Sequence, residues 1–211
     1  MAQMKMDLSR FSDGSVVNRE KANALLEAAN VTNVAAAPSA WMRVMEAYPD
    51  CSGGGVTEDG FGLNTCISND PQGVMVSYDG ATFTVFHYGD TACSGDPLGS
   101  ESFAPSSSCE AIDWLGFKYA TVAYYEGATP WKDFGESWAA ALNYGDDACS
   151  SDATSYQAIK IGACNDEYKP QSCGGGDLEL ITYTQPSCSG DSSMVPVPTD
   201  KCSSGTTYVC L

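Results

Sequence analysis

Histidine, basic residues and long apolar runs are scarce in this chain of 211 residues. The only histidine is His87 and no C-x-x-C pair occurs, so a zinc site of the usual cysteine and histidine ligands is not expected. No apolar run reaches the ~18 residues that a membrane-spanning helix needs. Lys and Arg number 10 against 27 Asp and Glu, and the net charge of −17 disfavours nucleic acid and anionic lipid as partners.

Two further patterns are missing from the sequence. No charged and then apolar leader follows Met1, so we expect that any signal peptide has been removed or replaced. The serine-hydrolase elbow G-x-S-x-G is not matched, because Gly135-Glu-Ser137-Trp-Ala139 departs from it at the last position. His87 is predicted to pack within a strand, so a Ser-His-Asp triad is not expected.

Ten cysteines are present, and four of them lie within copies of one repeated phrase. The copies are Tyr48-Pro-Asp-Cys-Ser-Gly, Tyr88-Gly-Asp-Thr-Ala-Cys-Ser-Gly-Asp, Tyr144-Gly-Asp-Asp-Ala-Cys-Ser-Ser-Asp and Tyr183-Thr-Gln-Pro-Ser-Cys-Ser-Gly-Asp. In each copy a second cysteine follows after 13 to 15 residues. An even number of cysteines at a repeated spacing predicts a disulfide framework made in an oxidising compartment.

Nearest-neighbour pairing within each repeat predicts the disulfides. The expected pairs are Cys51–Cys66, Cys93–Cys109, Cys149–Cys164 and Cys188–Cys202, with Cys173–Cys210 by elimination. The compartment is expected to be extracellular or secretory, and a plastid lumen is the alternative.

Composition divides the chain near Ala47. Residues 1–47 contain no cysteine and balance five basic with five acidic side chains, whereas residues 48–211 carry 22 acids against five lysines. Apolar spacing predicts one helix over residues 19–30 and a second one that starts after Ser39 and ends before Pro49. We therefore expect a helical N-terminal segment, 1–47, that covers the β domain or docks on a partner protein through its flexible methionines.

Residues 48–211 are expected to form an acidic cysteine-repeat β domain. Asp79-Gly80 lies between the β-rich segments 74–78 and 81–88 and predicts a hairpin with a two-residue turn. Segments 119–125, 155–161 and 177–183 are also predicted to be strands. The expected fold class is mainly β, with disulfide-stapled antiparallel hairpin repeats in a sandwich or a stacked array and a short helical N-terminal segment.

The phrase Tyr-x-Asp-x-x-Cys-Ser-Gly, with a second cysteine about 15 residues later, resembles a short repeat of uncharacterised secreted proteins of protists such as social amoebae. The resemblance covers four segments that start at Tyr48, Tyr88, Tyr144 and Tyr183, and does not reach residues 1–47. The first copy lacks two residues between Asp50 and Cys51, and the fourth has Gln185 in place of Asp. The resemblance implies a secreted, disulfide-bonded module and attaches no activity to it.

An aromatic insertion lengthens the interval between the second and third repeats. Eight of the 22 aromatic residues lie between residues 114 and 138. Trp114, Trp131 and Trp138 are the candidate residues for stacking against a carbohydrate, and an ordinary aromatic core is the alternative. Asp133 and Glu136 lie among these rings, so a secreted glycosidase that uses these two carboxylates is a further alternative.

Acidic residues recur in the turns beside the cysteines. They are Asp50, Asp90, Asp96, Asp146, Asp147, Asp152 and Asp191. Asp accepts hydrogen bonds from its own turn without any ligand, which is one interpretation. Clustered carboxylates also suit weak calcium binding, although no D-x-D-x-D-G loop is present. No other cofactor is predicted, and the identity of any metal is left open.

These patterns together predict a non-catalytic protein. We expect a structural or binding component of an extracellular surface, wall or assembly, which presents an acidic face and the aromatic insertion to a polysaccharide or an assembly partner. One alternative is a soluble subunit of a larger complex, docked through residues 1–47 in an oxidising compartment such as the plastid lumen. The other alternative is the secreted glycosidase.

Overall fold

The computed structural model describes residues 38–46, 56–69, 71–112, 117–135, 137–165 and 167–211. These residues form fifteen β-strands and one short 3-10 helix, Pro130–Asp133, between β8 and β9. The strands are β1 Ala40–Glu46, β2 Thr57–Gly62, β3 Cys66–Asn69, β4 Gln72–Tyr78, β5 Phe83–Tyr88, β6 Gly99–Phe103, β7 Ser106–Ile112, β8 Phe117–Glu126, β9 Trp138–Tyr144, β10 Ala153–Lys160, β11 Tyr168–Gly174, β12 Asp177–Gln185, β13 Ser189–Pro198, β14 Cys202–Ser203 and β15 Thr206–Cys210.

The strands assemble into three sheets whose neighbouring strands are all antiparallel. The main sheet has eight strands in the order β14-β15-β9-β10-β2-β1-β8-β7. The first small sheet has the order β3-β4-β5-β6, and the second small sheet has the order β11-β12-β13. The expected mainly β architecture of antiparallel strands is confirmed.

Both small sheets pack on the same face of the main sheet. Phe61 lies directly opposite Ser155, and Ile159 is an even number of residues along β10 from Ser155, so Phe61 and Ile159 share one face. Phe61 belongs to a core that includes residues of the first small sheet, and Ile159 belongs to a core that includes residues of the second. We call this face of the main sheet the inner face, and the opposite one the outer face.

Each small sheet closes a separate apolar core against the inner face. The core under the first small sheet contains Met42, Val44, Phe61, Leu63, Ile67, Val74, Val76, Phe83, Val85, Ala120 and Val122. The core under the second small sheet contains Ala139, Ala141, Ile159, Leu178, Leu180 and Tyr208. The fold is therefore a layered β structure in which one wide sheet supports two narrow sheets side by side.

The second predicted helix is wrong, because its residues form strand β1. Trp41 and Arg43 point to the outer face, and Met42 and Val44 to the inner face. β1 pairs with β2 on one side and β8 on the other, so apolar residues are needed on both of its faces. A short apolar run that is buried on both faces has no strand periodicity to distinguish it from a helix.

Strand β1 also lies within the stretch that composition set apart from the cysteine-bearing part. Residues 40–46, which composition assigned to the N-terminal segment, belong to the middle of the main sheet. The predicted helix over residues 19–30 lies outside the described residues. Among the residues that the structure describes, no helix has the length and apolar character needed to cross a bilayer.

The hairpin predicted at Asp79-Gly80 is confirmed, with a longer loop. β4 and β5 pair from Gly73 opposite Tyr88 up to Tyr78 opposite Phe83, which leaves four residues in the loop rather than two. Asp79 Oδ1 accepts hydrogen bonds from the backbone N–H groups of residues 81 and 82, at 2.9 and 2.7 Å. The other three predicted strands are also present, as β8, β10 and β12.

Candidate functional site

Asp90 organises the turn that follows β5. Its Oδ1 accepts hydrogen bonds from the N–H groups of Ala92 and Ser94, at 2.9 and 3.1 Å, and its Oδ2 accepts one from Ser94 Oγ at 2.6 Å. The hydrogen bonds from Ser94 are the main cause that lowers the pKa of Asp90. The carboxylate therefore serves the turn, which is the first of the two roles that the sequence suggested.

Asp146 builds a matching turn after β9. Its Oδ1 accepts from the N–H groups of Ala148 and Ser150, both at 3.0 Å, and its Oδ2 accepts from the N–H of Ser151 at 2.8 Å. These bonds, led by the one from Ser150, lower the pKa of Asp146 strongly. Two copies of the repeated phrase thus have the same local structure.

The cysteine of each turn has a left-handed backbone. Cys93 has φ +50° and Cys149 has φ +51°, and Cys188 in the fourth copy of the phrase also has φ +51°. This conformation is uncommon for residues other than glycine; a disulfide holds it in place at all three cysteines, and Asp hydrogen bonds support it at Cys93 and Cys149. The phrase therefore encodes a turn that presents its cysteine in one direction.

Two disulfides each cross one intervening strand. Cys93, after β5, bonds to Cys66 at the start of β3, and β4 lies between those strands. Cys149, after β9, bonds to Cys202 at the start of β14, and β15 lies between those strands. Their Cα–Cα distances of 5.7 and 5.8 Å fall in the usual range for disulfides. Each of these bonds fixes the order and register of three strands.

A glycine lies against the backbone of each of these two turns. Gly73 is paired with Tyr88, and a Cβ atom there would lie 2.5 Å from Asp90 O and 2.8 Å from Cys93 Sγ. Gly205 occupies the equivalent position: it accepts a hydrogen bond from the N–H of Tyr144, and its Cβ would lie 3.2 Å from Asp146 O. Glycine is suited to both places because the turn approaches its backbone closely.

The Cys164–Cys188 disulfide crosses no intervening strand, but it shares one feature with the other two. Cys188 lies in the turn after β12, and Cys164 precedes β11, the strand that pairs with β12. The N–H of Tyr183 donates to the carbonyl oxygen of Glu167 at 2.8 Å, as that of Tyr144 does to Gly205. In all three units the turn cysteine bonds to the cysteine that precedes the neighbouring strand.

The predicted pairing within repeats is therefore wrong at every bond that the structure describes. Cys66 pairs with Cys93, Cys149 with Cys202, and Cys164 with Cys188, instead of Cys51–Cys66, Cys93–Cys109, Cys149–Cys164 and Cys188–Cys202. The physical reason is that partners are chosen by strand adjacency in the sheet, whereas the prediction used adjacency in the sequence. The Cys173–Cys210 pair is found as expected. Cys51 and the side chain of Cys109 lie outside what the structure describes.

Metal ligands are not clustered in the described part of the chain. There, no group of three or more His, Cys, Asp and Glu side chains is arranged to hold a metal ion. Asp90 and Asp146, two of the candidate calcium ligands, instead accept hydrogen bonds from their own turns. Asp50, a third candidate, lies outside the described residues.

A buried ion pair lies on the outer face of the main sheet. Glu58 on β2 accepts hydrogen bonds from Arg43 Nε and Nη2 on β1, at 2.6 and 2.9 Å, and another from the Tyr156 hydroxyl on β10. Burial alone would lower the pKa of Arg43, but the hydrogen bond and the charge of Glu58 raise it. Burial, and then the negative charge of Glu58, raise the pKa of Tyr156. The three side chains form a closed unit that joins three adjacent strands.

Aromatic rings cover this ion pair. Trp131 in the 3-10 helix packs edge-on against Trp41, with ring centroids 5.5 Å apart, and against Tyr156 at 5.6 Å. The guanidinium of Arg43 lies 5.3 Å from the ring centroid of Tyr125 and 5.4 Å from that of Phe134. Residues of the aromatic insertion therefore pack on the outer face and cover the ion pair.

The tryptophans predicted to stack on sugars take part in this packing. Trp131 is only 8% exposed, so the aromatic-core alternative describes it better than an exposed platform does. Trp138 is partly buried against Phe134, with ring centroids 4.7 Å apart. Trp114 lies outside the described residues.

One of the two carboxylates proposed for glycosidase chemistry, Asp133, lies in the described part of the chain. Asp133 is exposed, and it accepts a hydrogen bond from the hydroxyl of Tyr125; burial and then this bond raise the pKa of Tyr125. Glu136 lies outside the described residues. His87 lies on β5 as predicted, and burial lowers its pKa.

A surface groove opens where β7 meets β8. It has a volume of about 400 Å³ and is lined by Pro105, Ser106, Ser107, Thr121, Val122, Ala123 and Tyr124. Tyr124 is 41% exposed, and its ring stacks on Tyr78 with centroids 4.8 Å apart and planes 24° apart. Tyr124 points to the inner face of the main sheet with Val122, whereas Thr121 and Ala123 point to the outer face.

Sequence reasoning missed both the ion pair and the groove. Glu58 belongs to Thr57-Glu-Asp-Gly60, a polar run that is typical of a loop, yet every residue of β2 is buried. No pattern in the sequence indicates that this run enters a sheet. Tyr124 was one aromatic residue among the eight of the insertion, and only its neighbours across the sheets distinguish it.

Comparison with known proteins gave no match: neither a family model, nor a curated protein, nor a solved structure is similar to this chain.

Proposed function

We propose that this protein is a non-catalytic structural component of an extracellular surface, wall or matrix. The observation that carries the proposal is the repeated disulfide clasp, in which a turn cysteine bonds to the cysteine that precedes the neighbouring strand in the sequence, at three places in the described chain. Four disulfides indicate an oxidising environment of the extracellular or secretory kind. A durable, crosslinked body suits a protein that must persist outside the cell.

The use of charged groups supports the same proposal. Asp90 and Asp146 hold turns, and Glu58 is paired with Arg43 beneath aromatic rings. A catalytic carboxylate needs access to substrate and a proton to exchange, and Glu58 is 2% exposed. The net charge of −17 favours solubility of the protein and disfavours polyanions as its partners.

Fractionation of native material tests the proposal. Antibodies against the folded protein should find it in the washed, insoluble extracellular fraction, and enzymes that digest matrix polysaccharide or a chaotrope should release it. Recovery in a defined intracellular particle would instead favour the subunit that docks through residues 1–47. Reducing-sugar release that Asp133→Asn or Glu136→Gln abolishes would favour the glycosidase.

Protease resistance provides a second readout on the purified chain. The double variant Cys164→Ala/Cys188→Ala removes one clasp and should be cleaved by a nonspecific protease much faster than the native protein. The matched control is the surface variant Met194→Ala, at a side chain that is 56% exposed on the same sheet. Equal resistance of all three proteins would remove the argument that the clasps exist for durability.

A further inference from the structure

We propose that Asp79-Gly80 is a site of spontaneous backbone modification, at which Asp79 converts to isoaspartate and loosens the hairpin between β4 and β5. The sequence contains three Asp-Gly dipeptides, and two of them, Asp59-Gly60 and Asp79-Gly80, lie in the described part of the chain. The third, Asp13-Gly14, lies outside it. The structure gives the two described dipeptides opposite surroundings. This inference goes beyond the proposed function and does not depend on it.

The reaction needs no partner other than water. The backbone nitrogen of the residue after Asp attacks the side-chain carboxyl carbon, Cγ, and forms an N–Cγ bond. A C–O bond of the carboxyl group breaks, and its oxygen leaves as water with the N–H proton. Water then opens the cyclic imide, either at the new N–Cγ bond, which restores Asp, or at the original peptide bond, which gives isoaspartate. Glycine favours the attack because it has no Cβ atom to obstruct its nitrogen.

The surroundings of Asp79 and Gly80 permit this attack. Both residues are exposed in the loop between β4 and β5, and a Cβ atom added to Gly80 would meet nothing within 4 Å. In the described part of the chain, no hydrogen bond ties down the Gly80 N–H. Asp79 Oδ1 accepts hydrogen bonds from the N–H groups of Ala81 and Thr82, at 2.9 and 2.7 Å. These bonds hold the carboxyl group against the loop backbone that contains the attacking nitrogen.

The same hydrogen bonds slow the reaction. They lower the pKa of Asp79, so its carboxyl group is ionised at neutral pH. An ionised carboxylate is a poorer electrophile than a carboxylic acid. The modification should therefore accumulate with the age of the molecule.

The surroundings of Asp59-Gly60 prevent the attack. Asp59 is 3% exposed, and it lies on β2, between β1 and β10 in the main sheet. Gly60 pairs with Arg43 of β1 and with Tyr156 of β10, and the ring of Tyr156 fills the space beside it. Formation of the cyclic imide would require this peptide to leave the sheet. Asp59 should thus react only when β2 opens.

Isoaspartate at position 79 would change the hairpin. The main chain would run through Cβ and Cγ of residue 79, which adds one carbon to a loop of four residues. The carboxylate that accepts the two loop hydrogen bonds would become a peptide carbonyl. Tyr78, directly before the loop, stacks on Tyr124 of β8 with ring centroids 4.8 Å apart, and its hydroxyl donates to the carbonyl oxygen of Gly80 at 2.9 Å. A longer loop should therefore loosen a contact between the first small sheet and the main sheet.

The test ages the full-length folded protein in neutral buffer for several weeks. Electron-transfer mass spectrometry of its peptides then locates isoaspartate. We expect isoaspartate at position 79 to exceed that at position 59 by about tenfold or more, since the buried site reacts only through opening of the sheet. A second sample, reduced and unfolded in guanidinium chloride, should form isoaspartate at both positions at similar rates, which shows that both are detected.

Asp79→Ser is the matched variant. A serine hydroxyl can accept hydrogen bonds from the loop N–H groups, but it provides no carboxyl carbon for Gly80 to attack. With age, the native protein should fall in Tm and become more sensitive to protease between β4 and β5, whereas Asp79→Ser should keep its initial values. Asp191→Ser, at an exposed Asp on the second small sheet, should age as the native protein does. If Asp79→Ser does not fold, the peptide measurement on the native protein decides the question.

Two results would overturn the proposal. One is that the folded protein forms no more isoaspartate at position 79 than at position 59, while the unfolded sample forms it at both. The other is that the native protein and Asp79→Ser lose Tm equally with age, which would show that the hairpin is not loosened by the modification.

Discussion

The ring of Tyr156 lies over Gly60 on the adjacent strand, in the space that a side chain at position 60 would occupy. A Cβ atom added to Gly60 would overlap Cε1 and Cζ of Tyr156. Tyr156 is fully buried and is also held by Glu58, so its ring cannot swing into solvent. We expect Gly60→Ala to lower the free energy of unfolding by about 1–3 kcal/mol, measured by urea denaturation.

The control for that substitution is Gly174→Ala. Gly174 also lies in a strand, β11, but an added Cβ atom there meets nothing within 4 Å. We expect its unfolding free energy to stay within about 0.5 kcal/mol of the native value. A Gly60→Ala protein as stable as Gly174→Ala would show that Tyr156 can move aside.

The Arg43–Glu58 ion pair should make the removal of one partner more destabilising than the apolar replacement of the whole unit. Arg43→Met leaves Glu58, whose side chain is 3% exposed, without its cation, and removal of one partner from a buried pair costs about 3–5 kcal/mol. Because the side chain of Arg43 is 21% exposed, the lower end of that range is expected. The measurement is chemical denaturation at neutral pH.

The apolar replacement of the whole unit is the comparison that tests this explanation. In the triple variant Arg43→Met/Glu58→Leu/Tyr156→Phe, no buried charge or hydroxyl loses its partner, so much of the lost stability should return. A triple variant less stable than Arg43→Met alone would mean that the ion pair contributes favourably beyond satisfying its own charges.

The disulfide rule makes a prediction for peptide mapping under non-reducing conditions. The map should contain Cys66–Cys93, Cys149–Cys202, Cys164–Cys188 and Cys173–Cys210. The rule also predicts a fifth bond, Cys51–Cys109, since Cys51 follows β1 in the sequence, β8 pairs with β1, and Cys109 precedes β8. Crosslinked peptides that join Cys51 to Cys66 or Cys93 to Cys109 would contradict the rule.

Asp146 predicts a loss of stability in acid. Hydrogen bonds lower the pKa of Asp146 in the folded protein. The ionised carboxylate therefore adds its full contribution to folding stability above the unfolded pKa of about 3.9, and this stability is lost as the pH falls through the lower pKa of the folded protein. The Tm of the native protein should therefore fall between about pH 4 and pH 2 more steeply than that of Asp146→Asn, which keeps an acceptor oxygen but does not titrate.

A charge-matched variant controls for the general effect of removing an acid. Asp152→Asn changes a neighbouring exposed carboxylate and should leave the steep acid dependence in place. If the Tm curves of Asp146→Asn and the native protein run parallel in acid, the turn hydrogen bonds do not depend on the charge of Asp146.

Local chemistry explains what could be predicted from the sequence. The Asp79-Gly80 turn and the turns at Asp90 and Asp146 are built from hydrogen bonds between residues at most five apart, so a short stretch of sequence specifies them. The strands beside these turns have the β-branched and aromatic residues that strands favour. For the same reason the Asp carboxylates could be assigned to the turns before the fold was known.

The sequence by itself determined the mainly β character, the cysteine-bearing turns and the hairpin between β4 and β5. Only the tertiary structure decided that residues 40–46 are a central strand, that Cys93 bonds to Cys66, that Trp131 is covered and that Tyr124 is exposed beside a groove. Disulfide partners, buried ion pairs and grooves depend on which strands become neighbours in a sheet. That choice is made by contacts between residues far apart in the chain, and no local pattern records it.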